Sequence, residues 1–125
     1  YFNTEKSNGI SSWSLGKLQN CETEVVNIFV RDEFYESFYY IPVSSLAHEI
    51  MHCFGAYDLH YASSAIPQAY VDHCRLTASM DIMYPISLGE EIPQHFTQLD
   101  AYYLGLVDSC DEVTTWGLGK SAFWE

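Results

Sequence analysis

Apolar and polar positions divide the 125-residue chain into a few short runs. Residues 25–30, VVNIFV, are β-branched and apolar apart from Asn27, which predicts a buried strand. Residues 36–43, ESFYYIPV, form a second strand candidate, and Pro42 either confines it to a sheet edge or ends it. From residue 46 the period changes. Leu46, Ile50 and Phe54 recur at helical spacing as one apolar face, Ser44 or Ser45 can cap the helix, and Gly55 can end it in the left-handed region. A short helix is predicted within 60–82, with Pro67 near its start and QAYVDHCRL as its body. Residues 79–85, SMDIMYP, form a compact turn that ends in proline. Residues 93–107 read as the last helix: Thr97 caps it, Asp100 takes the third position, and Leu99, Tyr103 and Leu106 keep the helical period. Residues 1–24 are polar, with room for a short strand and no helical period. Residues 111–125 show no clear period either. There is no internal repeat and no low-complexity segment. The length suits one domain over 1–125, and strands followed by helices make its class α+β.

Composition narrows the partners. Hydrophobic residues make up 48 % and charged residues 18 %, a balance that can form a core. Five Lys and Arg stand against 17 Asp and Glu, a net charge of −12, so no nucleic acid is expected as a partner, since its phosphates need a basic patch. No apolar run approaches the roughly 20 residues of a membrane span. Cys21, Cys53, Cys74 and Cys110 contain no C-x-x-C pair. An even, scattered set fits two disulfides in a secreted or cell-surface protein, with three connectivities open, against the alternative of four buried thiols. There is no signal-peptide pattern, and the chain begins at Tyr1, as a mature form or an excised piece does.

The chemistry concentrates in residues 48–60, HEIMHCFGAYDLH. Residues four apart share a helix face, so His48 and His52 can aim imidazole nitrogens at one ion. Zinc takes such ligands at about 2.0–2.1 Å, in a tetrahedron. Glu49 projects beside the pair, placed to hold a zinc-activated water and accept its proton. Two histidines on a helix can also be ordinary surface residues, so the third ligand matters. A helix brings no third side chain to the same ion unless the backbone turns. Gly55 supplies that turn, because glycine takes positive φ without penalty. Asp58, three residues on, then swings back under the metal, and a carboxylate ligates zinc at about 2.0–2.2 Å. His60 is its competitor.

The pattern H-E-x-x-H-x-x-G-x-x-D resembles the metzincin zinc metallopeptidases, in particular the minority with Asp as third ligand, such as the snapalysin-like peptidases. SMDIMYP looks like the clan's Met-turn. The resemblance covers residues 42–106 and implies a small mixed β-sheet over an active-site helix, a Met-turn and a C-terminal helix. It implies a zinc site on His48, His52 and Asp58, with Glu49 as the general base. It places Met83 beneath the site as a packing floor. Tyr84 beside the turn is a candidate for hydrogen-bonding substrate, with a packed aromatic as the alternative. Tyr39 and Tyr40, on the predicted edge strand, are candidates for a groove in which a peptide adds as an extra strand. The implied activity is hydrolysis of a peptide or protein substrate by a zinc endopeptidase. The chain departs from the clan in two respects. Only 47 residues precede His48, and residues 1–24 show no backing helix, which suits an N-terminally incomplete or minimal catalytic domain. The third ligand is Asp58, with His60 nearby as competitor, where most of the clan has histidine.

Three other functions compete. A gluzincin arrangement would take a third ligand from Glu90 or Glu91, and would leave Gly55 and DIMYP unexplained. A non-catalytic zinc-binding interaction module would keep the site without turnover, and would have no use for Glu49. A domain with no metal would carry the motif by accident. Nothing in the sequence indicates an oligomeric state.

Overall fold

A computed structural model describes residues 2–3, 13–16, 22–29, 43–84 and 95–124. Among these residues the chain is a small mixed α/β protein: strands β1 (Phe2–Asn3), β2 (Trp13–Leu15) and β3 (Val25–Phe29), then helices α1 (Val43–Cys53), α2 (Gln68–Thr77), α3 (Gln98–Tyr103) and α4 (Asp111–Trp116). The second strand candidate, apart from Val43, lies outside the described residues, as do Cys21, Tyr39, Tyr40, Pro42, Pro85, Glu90 and Glu91.

The VVNIFV run is the central strand of a three-stranded mixed sheet of order β1-β3-β2. It runs parallel to β1, with Phe2 opposite Ile28, and antiparallel to β2, with Trp13 opposite Asn27 and Leu15 opposite Val25. Neighbouring strand residues face opposite sides, and Asn27 and Ile28 are both buried, so both faces of β3 are covered. The sheet packs on α1 through β2 and β3. Gly16, just after β2, sets that approach: a Cβ there would stand 2.3 Å from the Cys53 carbonyl oxygen. Cys53 turns toward the sheet, its Sγ 3.8 Å from the Val25 carbonyl oxygen and away from the histidine pair.

The main core gathers Leu59, Ile66, Val71, Met83, Leu99 and Tyr103, joining α2 and α3 to the segments between the helices. The Tyr103 hydroxyl donates to the Gly119 carbonyl at 3.0 Å, and Ser121 Oγ donates to the Tyr103 carbonyl at 3.3 Å, so residues 119–121 close over α3. Helix α2 begins after Pro67, as expected from the fixed proline φ. Thr97 and Asp100 form a capping box at the start of α3, each side chain meeting the other's backbone N–H.

Four expectations are corrected. Helix α1 starts at Val43, so Ser44 and Ser45 lie within its first turn and do not cap it. Its apolar face is not its buried face: Ile50 is 42 % and Phe54 49 % exposed, while His48, Glu49 and Cys53 are buried. Helix α3 stops at Tyr103, where the chain turns through a Leu106 N–H bond to the Ala101 carbonyl, and it is not the last helix. Helix α4 follows in the segment without a period; six residues are too few to establish one, and Asp111 and Glu112 in its first turn suit the positive end of the helix dipole. Lastly, no disulfide is seen among the described cysteines. Cys53, Cys74 and Cys110 are free buried thiols. Cys53 faces β3, while Cys110 Sγ lies 2.9 Å from the Glu112 carboxylate.

The tight approach at Gly16 predicts that Gly16→Ala lowers unfolding free energy by about 1–3 kcal/mol, the usual cost of overpacking a close contact. Urea denaturation measures it, and an unchanged midpoint would mean that β2 does not lie against the end of α1.

Candidate metal centre

His48 and His52 stand one turn apart on α1, their ring centroids 4.5 Å apart and their planes at 82°. Each ring is fixed from behind. His48 Nδ1 donates to the Ile82 carbonyl at 2.9 Å, and His52 Nδ1 donates to the Ala56 carbonyl at 2.8 Å. A carbonyl only accepts, so both ring protons sit on Nδ1 and each neutral ring turns a lone pair outward at Nε2. The two Nε2 atoms are 3.0 Å apart. Two lone pairs at that distance repel unless a proton or a cation lies between them.

The end of α1 delivers the third donor. Gly55 has φ 106°, open to glycine and strained for other residues. Around it the Ala56 N–H bonds the Met51 carbonyl (3.2 Å) and the Gly55 N–H bonds the His52 carbonyl (3.0 Å), the crossed pair of a Schellman motif. The motif reverses the chain and aims the Ala56 carbonyl at His52. Three residues past Gly55, Asp58 Oδ1 lies 3.1 Å from His48 Nε2 and 3.3 Å from His52 Nε2. Asp58 Oδ1 is buried without a conventional hydrogen-bond partner among the described residues. A tetrahedral ion with donors at about 2.0–2.2 Å has edges near 3.3–3.5 Å. The three observed edges, 3.0, 3.1 and 3.3 Å, come close to that figure. Among the described residues, His48, His52 and Asp58 form a group that can hold a metal ion.

The electrostatics agree. Burial opposes the Asp58 charge, but in the metal-free chain His48 and His52, when a proton occupies their Nε2 edge, hold its carboxyl far below the usual carboxylate range by hydrogen bond and charge. Burial lowers the His52 pKa, and the Asp58 carboxylate, by hydrogen bond and charge, more than reverses this and raises it. The site is thus built for positive charge between its donors, and protons compete with a metal for it.

The remaining expected residues fall around this group. Glu49 is buried; its carboxylate is outside the convergent donor set but near enough for its charge to raise the pKa of His52 and Tyr61. Residues 81–84 form a turn closed by the Tyr84 N–H on the Asp81 carbonyl (3.0 Å), and its Ile82 carbonyl is the one that holds His48. Met83 in that turn is wholly buried, and its carbonyl accepts the Leu59 N–H at 2.8 Å. Tyr84 is buried in the core. His60 Nδ1 lies 3.3 Å from Asp58 Oδ1, yet His60 is not in the donor group. Burial lowers its pKa, with the charges of His48 and His52 adding to the effect and Asp58 opposing it.

Sequence reasoning missed Tyr61. Its ring stands edge-on to His60 at 4.9 Å, and its hydroxyl lies close enough to Asp58 for hydrogen bonding to affect its titration. Burial, that hydrogen bonding and the charges of Asp58 and Glu49 push its pKa up to about 12, so it stays a donor at neutral pH. The available signal was its place on the reversed segment, three residues past the third ligand.

Comparison of the chain with protein-family models, curated proteins and solved structures found no match.

Two predictions come from this geometry. Asp58→Ala should weaken zinc retention strongly, since it removes one of three donors, whereas His60→Ala should change it little. A competition titration with a chelating dye decides between them, and comparable losses would make His60 a ligand. The second concerns pH in the metal-free chain. His52, raised above 6.5, contributes stability that is complete below that value and is lost as pH rises through its folded pKa. Asp58, depressed below 3.8, contributes stability that is present above that value and is lost in acid. The site therefore adds most between about pH 4 and 6.5, and the rise in melting temperature caused by zinc should grow from pH 5.5 to 8. A zinc-induced rise that shrinks with pH would contradict protons and metal sharing one place.

Proposed function

We propose that this chain is a zinc-dependent endopeptidase of the metzincin type. The observation that carries the proposal is the convergence of two tautomer-locked imidazoles and one buried carboxylate at tetrahedral-edge distances, with a second buried carboxylate, Glu49, beside them and not among them. Imidazole and carboxylate donors in that number are the set of a catalytic zinc site, which keeps one position open.

His48, His52 and Asp58 would hold the ion. When bound, zinc supplies Lewis acidity, activating water near neutral pH and polarising a scissile carbonyl. Everything else falls to the chain. The Ile82 and Ala56 carbonyls hold a proton at Nδ1 of each imidazole and keep its Nε2 facing inward. Glu49 accepts the proton of the attacking water and passes it to the leaving amine, which needs an ionised carboxylate next to the metal donors and not on them. Tyr61, protonated at neutral pH, offers a hydroxyl on the Asp58 side of the site. The glutamate-ligand arrangement is set aside because Asp58 already stands where a third ligand is required.

The deciding experiment removes the base. Glu49→Ala should keep about one zinc per chain and lose cleavage of an unfolded protein such as casein by roughly 10²–10⁴-fold. Zinc stoichiometry is measured alongside proteolysis for both proteins. Loss of zinc in the mutant would make Glu49 a ligand. A wild type that holds zinc and cleaves nothing across a broad peptide library would replace the enzyme reading with a zinc-binding module.

A further inference from the structure

Behind the turn that holds His48 lie two carboxyl groups that the proposed chemistry does not use. Asp81 and Asp100 are almost wholly buried, at 0 % and 1 % exposed. Asp81 opens the 81–84 turn, and its Oδ1 accepts the Met83 N–H at 2.7 Å. Asp100 belongs to α3, and its Oδ2 accepts both the N–H (3.0 Å) and the hydroxyl (3.2 Å) of Thr97. The two carboxyls meet side chain to side chain. Asp81 Oδ2 is buried there without a hydrogen bond of conventional geometry, although the Thr97 hydroxyl, already donating to Asp100, lies near enough to favour its charge. Two ionised carboxylates in such a place would repel without solvent to screen them. One proton between them removes the repulsion and supplies the missing donor.

We propose that Asp81 and Asp100 share a single proton, and that this acid pair pins the 81–84 turn to α3 and so positions His48 through the Ile82 carbonyl. The path is continuous. Asp100 is anchored by the α3 capping box, Asp81 by the Met83 N–H, and the intervening Ile82 is held on one side by its N–H to the His95 carbonyl (3.1 Å) and on the other by His48 Nδ1 (2.9 Å). These are positioning residues; neither reaches the metal donors. Burial and the charge of Asp81 raise the Asp100 carboxyl to about 7, and burial also raises Asp81. Among the described residues, the other titratable groups facing the pair are His95, whose charge favours ionised Asp81, and Cys74 of α2. The Cys74 thiol is pushed up to about 11, chiefly by burial and in part by both carboxyls. An acid whose folded pKa is raised contributes stability that is complete below its unfolded value near 3.8 and is lost as pH climbs through about 7. The pair therefore grips the turn in mild acid and loosens it in alkali.

The assignment of His48 as a ligand rests on the proposed function, but the proton-sharing does not, so the test has two separate readouts and neither involves cleavage. An amide mimics the protonated acid at every pH, whereas alanine cannot. Asp100→Asn should fold and show a shallower fall in melting temperature than the wild type between pH 5.5 and 8.5, measured in chelator. Asp81→Asn should behave likewise, and Asp100→Ala should melt lower throughout. The second readout is zinc affinity by dye competition. The ratio of Asp100→Asn to wild type should be near one at pH 5.5 and rise in favour of the variant at pH 8.5, on the order of the tenfold that supporting groups contribute to metal sites. Melting curves that run parallel for wild type and Asp100→Asn would overturn the shared proton, as would an Asn variant as damaged as the Ala variant. A zinc ratio that stays flat while the melting curves differ would overturn the link to His48. If the chain held zinc but never cleaved a peptide, both readouts would stand and only the peptidase reading would fall.

Discussion

The reversal of the chain at Gly55 is the constraint on which the site depends. A helix can offer two donors to one ion and no more. The Schellman turn after α1 overcomes this limit in a few residues, and each of its consequences serves the site. It frees the Ala56 carbonyl to fix His52. It sends Asp58 back between the two Nε2 atoms. It then buries Leu59, whose N–H takes the Met83 carbonyl and ties the reversed segment to the turn that holds His48. Both imidazoles are thus oriented by backbone carbonyls that the same reversal brings into place. Backbone atoms of packed segments move less than long side chains, which makes the donors preorganised.

Charge is distributed to match. The chain carries a formal −12, yet the site buries one carboxylate against two imidazoles, a combination that leaves room for a dication. Asp58 stays ionised because the histidines compensate its burial. Asp81 and Asp100 face the opposite situation a short distance behind: among the described residues only His95 brings positive charge to Asp81, and a shared proton is the counter-charge proposed for the pair. Environment alone sets one aspartate as an ionised candidate ligand and the other two as the proposed clasp.

The parts of the molecule that were legible in its sequence are those set by short spacing. The i, i+4 histidines, the glycine three residues later and the aspartate three beyond that are local geometry, and the structure brings all of them together. The β3 run, Pro67 at the start of α2 and the Thr97–Asp100 box were readable for the same reason. What was not readable depends on distant partners. Ile50 and Phe54 look like a core face, but the helix buries its histidine side instead, because the turn at 81–84 packs there. Cysteine number suggested disulfides, but pairing requires proximity, and the described cysteines sit in different surroundings. Helix α4 is too short to show a period. Asp81 and Asp100 are 19 positions apart, so nothing local marks them as a pair, and Tyr61 was one tyrosine among ten.

The difference between a zinc enzyme and a zinc-held scaffold comes down to the count of donors. A structural zinc is closed by four protein ligands, whereas a catalytic one keeps a place for water and substrate. Among the described residues three donors converge. Among the described residues His60 also approaches, its Nδ1 3.3 Å from Asp58 Oδ1, but it is not within the group that the other three form. Glu49 has the charge to ligate but not the position, because the residue after His48 is rotated by about 100° from it around the helix. A carboxylate buried beside three donors, and off them, is placed for the proton transfer of the proposed peptidase, and that placement is why the enzyme reading is the one proposed over the scaffold.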